Sequence, residues 1–353
     1  MLDMPALDLR PFYSGALVRY GGRFHKVADP WRQPLDALAG LLSPIGTLRD
    51  KVKIGRLRSR LLESTLEEIF RQPNIPLHEV LHEEGFSPSI IERFLRPFFS
   101  GVFLERSLET SRRLFAFVFR MFAQGITALP ANGMETISEQ LAAGLRPRIQ
   151  PSAMVTTVDG TEVILSSGER VVGDAPAAIR LVPELHSPLS RSVVCLYFAA
   201  PQLPIEEPIL VLNGEGQGLI NNMCVPSQIA PNYAPPDTAL VSVTVLGDPP
   251  EDDRELEQSV RAQLADWFGK QVGQWRFLRC YRIPNALPCQ QPEMIEKIPE
   301  TVRLRSGLFI CGDHRENATI NGAMVSGRKA AEAVLQTESF KAVDAAKRFN
   351  NPT

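Results

Sequence analysis

The sequence predicts a mixed α/β protein of two domains, and three observations carry that expectation. At 353 residues and 39.1 kDa the chain exceeds the usual domain size of about 100 to 200 residues. Helix-period and strand-period segments succeed one another along it, and it closes on a short apolar strand, a polar loop and an Ala-rich helix, GLFICGDHRENATINGAMVSGRKAAEAVL. With 44% hydrophobic and 22% charged residues the composition is that of a folded globular chain. Lys plus Arg number 38 against 40 Asp plus Glu, so there is no global basic field of the kind a phosphate backbone requires, and nucleic acid is not an expected partner.

The elements follow in order. ALVRY and RFHKV flank Gly21-Gly22, a pair suited to the positive φ angles of a hairpin. From Ser43 to Phe122 the pattern is helical, with Leu48, Val52, Leu57, Leu61, Leu62, Leu66, Ile69 and Phe70 on one stripe and a fresh start at Ser87-Pro88. LPANGMETISEQLAAGL reads as a loop, an Asn-Gly turn and a short helix, and in AMVTTVDGTEVIL Asp159-Gly160 joins two strand-like runs. Residues 181–289 hold the β-type runs SVVCLYF, PILVL and ALVSVTVL, with one helix pattern from Glu251 to Phe268, and predict a mixed sheet. After Glu338 the chain turns polar.

Five cysteines (Cys195, Cys224, Cys280, Cys289, Cys311) are far apart and form no C-x-x-C pair, which argues against a disulfide framework and a cysteine zinc site and for a reducing, cytoplasmic setting. MLDMPALDLRPFY lacks the basic and apolar regions of a signal peptide, and no run reaches the roughly 18 apolar residues of a membrane span.

In the closing segment the strand ends at Cys311-Gly312-Asp313, and the helix opens on the small residues Gly322 and Ala323. Backbone N–H groups and a helix amino end thus lie beside one carboxylate, an arrangement that can host an anionic or carbonyl-rich ligand. The segment resembles the carboxyl-terminal FAD motif of the flavin amine oxidase and phytoene desaturase superfamily. PANGMETISEQLAAGL resembles that family's Gly-Met segment, and RIQPSAMVTTVDGTEVILSSGERV its β unit. FSPSIIERFLRPFFSGVFLE and YRIPNALP are similar to the desaturase-like branch, so the resemblance covers most of the chain.

The resemblance implies an FAD/NAD(P)-binding two-domain flavoprotein fold, N-terminally truncated, with a mixed-sheet and helical substrate domain. Residues 1–129 and 181–300 would form the substrate domain, 130–180 and 301–340 the FAD domain, and 341–353 a tail. Gly312 and Asp313 would meet the ribityl or phosphate region of FAD, and Ile320, Asn321, Gly322 and Ala323 would set a helix start at the pyrimidine edge of the flavin. Gly133 and Met134 would pack on the ring, and Val155 would offer backbone hydrogen bonds to adenine. In such enzymes the flavin accepts hydride while the protein orients a small apolar or amine substrate and excludes water, so no catalytic side chain is named.

The sequence departs from the family in two places. It has no G-x-G-x-x-G turn; Gly214, Gly216 and Gly218 in NGEGQGL lack the spacing and read as a turn between strands, and RYGGR, which looks like the family's Arg-Gly-Gly-Arg motif, is fully accounted for as a hairpin. SSGERVVGDAPAAIRLVPEL runs two family segments together. The alternative to an FAD-dependent oxidoreductase is therefore a fragment or non-catalytic remnant of the fold acting as a binding or scaffold protein.

Three further patterns were weighed. His78-Glu79-Val80-Leu81-His82 matches H-E-x-x-H, but Pro88 stands where a third zinc ligand belongs and Glu105 is only a guess at another, so no metal is expected. RDKVKIGRLRSR, residues 49–60, carries six basic residues and one acid and reads either as a solvated helix face or as a peripheral membrane contact. Nine of 18 phenylalanines lie between Phe86 and Phe122, as core or in part as the lining of an apolar substrate cavity.

Overall fold

Positive φ angles at Gly21 (60°) and Gly22 (70°) close the predicted hairpin, in the mirror-image turn that matches strand twist. They are seen in a computed structural model, which describes residues 2–40, 43–159, 162–172, 189–298, 301–305 and 308–349. The chain begins with β1 (Leu9–Pro11), β2 (Gly15–Tyr20) and β3 (Arg23–Ala28). A helical lobe follows: α1 (Pro34–Ala39), α2 (Leu48–Glu63), α3 (Leu66–Arg71), α4 (Leu77–Glu83), α5 (Pro88–Ile90), α6 (Arg96–Phe103) and α7 (Arg112–Gln124). Between α5 and α6 the backbone passes through a π-helical stretch, Ile91–Leu95.

Next come β4 (Ala128–Pro130), α8 (Glu135–Ala142), and the strands β5 (Val155–Asp159), β6 (Glu162–Leu165) and β7 (Arg170–Val172). Residues 173–188, which include most of the fused segment noted above, lie outside the described residues, as does Gly160. The second half holds β8 (Ser190–Ala200), β9 (Leu210–Asn213), β10 (Ile220–Cys224), α9 (Pro226–Ile229), β11 (Ala239–Leu246), α10 (Asp253–Phe268) and β12 (Arg276–Pro288). It ends with α11 (Pro292–Ile295), β13 (Arg303–Arg305), β14 (Leu308–Phe309) and α12 (Ile320–Phe349). The last helix runs past Glu338 because the Ala, Lys and Arg of that stretch are good helix formers, so the polar tail is helical up to Phe349.

Contacts divide the chain into two compact units, Met1–Pro147 with Ser190–Leu287, and Arg148–Leu189 with Pro288–Thr353. The first is organised by a seven-stranded sheet in the order β12-β8-β11-β10-β9-β2-β3. β2 and β9 pair in parallel, Ala16 with Leu210 through Arg19 with Asn213, while β2–β3, β9–β10, β10–β11 and β11–β8 are antiparallel. The sheet is mixed, as predicted, but it also absorbs the amino-terminal hairpin. The reason lies in β2: Leu17 faces one apolar layer and Ala16 and Val18 the other, so the strand needs cover on both sides.

One layer packs Val194, Leu196, Phe198, Val241, Val243 and Met223 beneath Leu256, Val260 and Leu264 of α10. On the opposite face the helical lobe covers the β2–β9 end, where Ala16, Val18 and Leu212 meet Phe99, Phe103 and Phe115. Edge-to-face pairs of Phe99 with Phe98 (5.1 Å) and Phe115 (5.0 Å) show that this part of the phenylalanine-rich region is core. The second unit contains the antiparallel sheet β5-β6-β7 and the pair β13–β14, joined by a small apolar cluster of Val155, Val158, Leu304 and Leu308.

Asp50 fastens the helical lobe. Its buried carboxylate accepts from the Thr47 N–H (2.8 Å) and Oγ1 (2.7 Å), completing the capping box of α2, and from the Ser87 N–H (2.8 Å) and Oγ (2.6 Å) at the start of α5. Burial works to raise its pKa, but the hydrogen bonds from Ser87 and Thr47 outweigh it and hold the carboxyl below the ordinary value. Because the folded pKa is the depressed one, this stabilisation is complete above the unfolded carboxyl's pKa and is lost as pH falls toward the folded value. Asp50→Asn is expected to cost about 2 kcal/mol in urea unfolding at neutral pH, and the difference from wild type should shrink on acidification.

Candidate functional site

In the second unit, β14 leads into Gly312, whose φ of 149° and ψ of 165° form a conformation that favours glycine. Its N–H donates to Oγ of the buried Ser326 on α12 (3.1 Å), which fixes the strand end against the helix. Asp313 then opens a one-turn helix over Asp313–Arg315. One of its carboxylate oxygens accepts the His314 N–H (2.8 Å), and 38% of the side chain remains exposed. Desolvation lowers the pKa of His314 against the opposing pull of Asp313, and Arg315 adds to the lowering, so the imidazole is neutral at neutral pH.

The connection to α12 is held from inside. Gln290 accepts the Ala318 N–H (3.0 Å), Glu316 pairs with Lys329, and Arg315 donates to the Thr301 carbonyl (2.8 Å). Thr319 caps the helix, its Oγ1 accepting from the Gly322 N–H (2.9 Å) and its carbonyl from the Ala323 N–H (3.0 Å). Helix geometry leaves the N–H groups of Ile320 and Asn321 as the donors not used by that cap. Ile320, Asn321 and Ala323 are exposed and Gly322 is buried. The requirement for glycine at 322 is internal: a Cβ there would lie 1.9 Å from the Asn317 carbonyl oxygen. The loop itself fills the space beside Gly322.

The structure thus brings Gly312, Asp313 and Ile320–Ala323 to one end of α12. Val155 is in the same unit, at the start of β5, opposite Leu165 and next to a register shift, with its side chain in the cluster that holds Leu308. Gly133 and Met134 belong to the other unit. Gly133 has φ 107° with open space where a Cβ would stand, its carbonyl accepts from Thr136 Oγ1 (2.7 Å), and Met134 is largely exposed ahead of α8.

The first unit also carries a strip the sequence reading missed. On the sheet face opposite α10, the alternate residues Cys195 and Tyr197 of β8, Ser242 and Thr244 of β11, and Asn222 and Cys224 of β10 are part-exposed. Tyr197 stands opposite Ser242 and Cys195 opposite Thr244 across β8 and β11, and Asn222 donates to Thr244 Oγ1 (3.3 Å). Tyr281 of β12 meets Tyr197 edge to face at 5.8 Å, and the Arg279 guanidinium lies 5.0 Å from the Tyr281 ring centre. Burial pushes the thiols up, that of Cys224 to about 12, and raises the Tyr197 phenol. These groups therefore carry no charge at neutral pH. The signal was present in the polar every-second residues of SVVCLYF and VSVTV, a period that marks one face of a strand.

The H-E-x-x-H residues form helix α4, where His78 Nδ1 lies 3.4 Å from the Leu108 carbonyl. Glu105 is taken up by Thr110 and Arg191, and no group of three or more metal-binding side chains occurs among the described residues.

Compared with known proteins, residues 6–335 match the family model described as flavin-containing amine oxidoreductase. The chain belongs to this family. The flavin-containing amine oxidoreductases are FAD-dependent oxidoreductases, and that is the class of enzyme this chain represents. No curated protein matches it in sequence. Among solved structures it is similar to an oxidoreductase from Methanosarcina mazei, at 16% identity and a TM-score of 0.66 over 92% of this chain and 81% of that one. It is also similar to cyclohexylamine oxidase from Brevibacterium oxydans, at 13% and 0.65 over 94% and 82%, and to putrescine oxidase bound to putrescine, at 11% and 0.66 over 93% and 82%. These likenesses place the chain in the same mixed α/β flavoprotein fold.

For a flavin-containing amine oxidoreductase, the start of α12 fits one edge of FAD: two backbone donors are left over, three of the first four residues are exposed, and a half-exposed carboxylate stands one loop away. Two outcomes follow from this geometry. Gly322→Ala should destabilise the fold by on the order of 2 kcal/mol through its contact with Asn317, read as a lowered melting temperature. Cys224 should resist alkylation by iodoacetamide at pH 8 in the native protein and react once the chain is unfolded.

Proposed function

We propose that this flavin-containing amine oxidoreductase oxidises a C–N or C–C bond of a small, largely apolar substrate by hydride transfer to FAD. The observation that carries the substrate class is the strip on the sheet of the first unit, where aromatic, hydroxyl and protonated thiol groups are part-exposed, no carboxylate takes part in the pairings described and the one charge described is the Arg279 guanidinium over Tyr281. Such a surface suits an apolar body with a few neutral hydrogen-bonding groups. Tyr197 and Tyr281 would orient the substrate by ring contact, and Ser242 and Thr244 would set its register through their hydroxyls.

In this reading Asp313 meets the ribityl or phosphate region of the cofactor, its carboxylate accepting from a ribityl hydroxyl, and the N–H groups of Ile320 and Asn321 donate to the pyrimidine edge, with Gly322 and Ala323 completing the turn. Gly312 holds Asp313 in place through Ser326. Gly133 and Met134 would pack on the ring and Val155 would bind adenine through its backbone. When bound, FAD supplies the hydride acceptor. The protein's part is to orient substrate, exclude water and present fixed donors. A peripheral lipid contact through residues 49–60 belongs to the same reading, since an apolar substrate is concentrated in lipid.

Asp313→Ala is expected to lower the flavin retained per purified chain at least several-fold while leaving the circular dichroism spectrum unchanged. Flavin content equal to wild type would remove Asp313 from the site. In the wild type, an apolar amine added without oxygen should bleach the flavin absorbance, whereas a failure of every apolar amine and alkene tried would refute the substrate class.

A further inference from the structure

We propose that α1 and α2 together form a docking face for anionic lipid, and that α1 supplies the apolar part which enters the bilayer surface. This deepens the lipid contact in the proposed function and rests on that part of it alone. Large apolar side chains stand in the open on both helices: Leu35 is 81% exposed, Leu38 65%, Leu48 59%, Val52 55% and, just before α1, Trp31 47%. Soluble surfaces seldom group such residues without a partner. The two helices are fastened to each other at both ends of α1. The Trp31 ring lies under the Arg58 guanidinium (4.4 Å) and against Gly55, where a Cβ would come within 3.5 Å of it. At the other end Lys51 Nζ donates to the Gly40 carbonyl (2.8 Å).

Charge complementarity selects the occupant. Residues 49–60 hold six cations and one acid, and that acid, Asp50, is buried and spent on Thr47 and Ser87. Asp29 is engaged with the Trp31 N–H (2.9 Å) and Arg32, and Asp36 with Tyr13 and Lys26, while Glu84 pairs with Arg60 and neutralises one of the six cations. Arg49 and Arg56 flank Val52 on the exposed side of α2, and neither pairs with a carboxylate among the described residues. Exposed leucines, a tryptophan beside an arginine and unneutralised cations on one surface are what an interfacial helix presents to acidic headgroups. A protein partner would have to match the same positive rim with acids.

The test is sedimentation of the full chain with vesicles of phosphatidylcholine, with and without phosphatidylserine. Wild type should pellet with the anionic vesicles, less so in high salt, and stay in solution with the neutral ones. Arg49→Gln with Arg56→Gln should weaken binding about twenty-five-fold, at roughly fivefold per cation removed. Leu35→Ser with Leu38→Ser should weaken it by a similar factor without lowering the melting temperature, since both side chains already stand in solvent. Failure of the wild type to pellet with anionic vesicles, or binding by either variant equal to that of the wild type, overturns the proposal. A concentration-dependent dimer that the leucine variant abolishes, with no vesicle binding, overturns it in favour of a second copy of the chain. Flavin content, read on the same samples, reports on the FAD site alone, so its loss in wild type would count against the flavoenzyme reading and not against this face.

Discussion

Two-sided burial of the seven-stranded sheet is the constraint on which the first unit depends. A slip of one residue along any of these strands would carry its side chains from one layer into the other, and here both layers are covered. Leu17, Val211, Met223 and Val243 belong under α10, whereas Ala16, Val18 and Leu212 belong under the helical lobe. The lobe covers only one end of its face. What it leaves is the strip of Cys195, Tyr197, Ser242, Thr244 and Cys224, so the candidate substrate surface is a by-product of incomplete coverage by helices that are themselves fixed by Asp50 and the stacked phenylalanines.

The second unit follows a different economy. It has little apolar core, and its order at the start of α12 comes from polar contacts: Gln290 on Ala318, Thr319 on Gly322, Ser326 on Gly312. Each uses a backbone donor near the helix end, and together they leave Ile320 and Asn321 free to donate outward. A site built this way is shaped by hydrogen-bond geometry, which fixes direction better than packing does.

How much of this was readable beforehand depended on whether the signal was local. The Gly21-Gly22 turn, the helix pattern between Glu251 and Phe268 and the strand-loop-helix around Asp313 are written in adjacent residues, and they formed where expected. Partnership between distant strands is not written locally, which is why the sequence shows the amino-terminal hairpin but not its pairing with β9. The strip residues were hidden for the same reason: Cys195 and Ser242 share a face only once β8 and β11 are in register. At Gly322 the sequence shows only a small residue at a helix start, and the contact with Asn317 that demands glycine there depends on the fold of the intervening loop.

The parallel pairing of β2 with β9 has a bearing on how the protein is made. Ala16 waits for Leu210, so during synthesis the edge of β2 that β9 fills stays open while nearly two hundred further residues are added. Until then Ala16, Val18 and Leu17 have no sheet to join, and an unpaired strand edge of this kind invites pairing with another nascent chain. The helical lobe, which lies between the two strands in sequence and covers the same end of the sheet, is the element available to shelter that edge first. Its early folding would therefore act as the protein's own safeguard against aggregation on the ribosome.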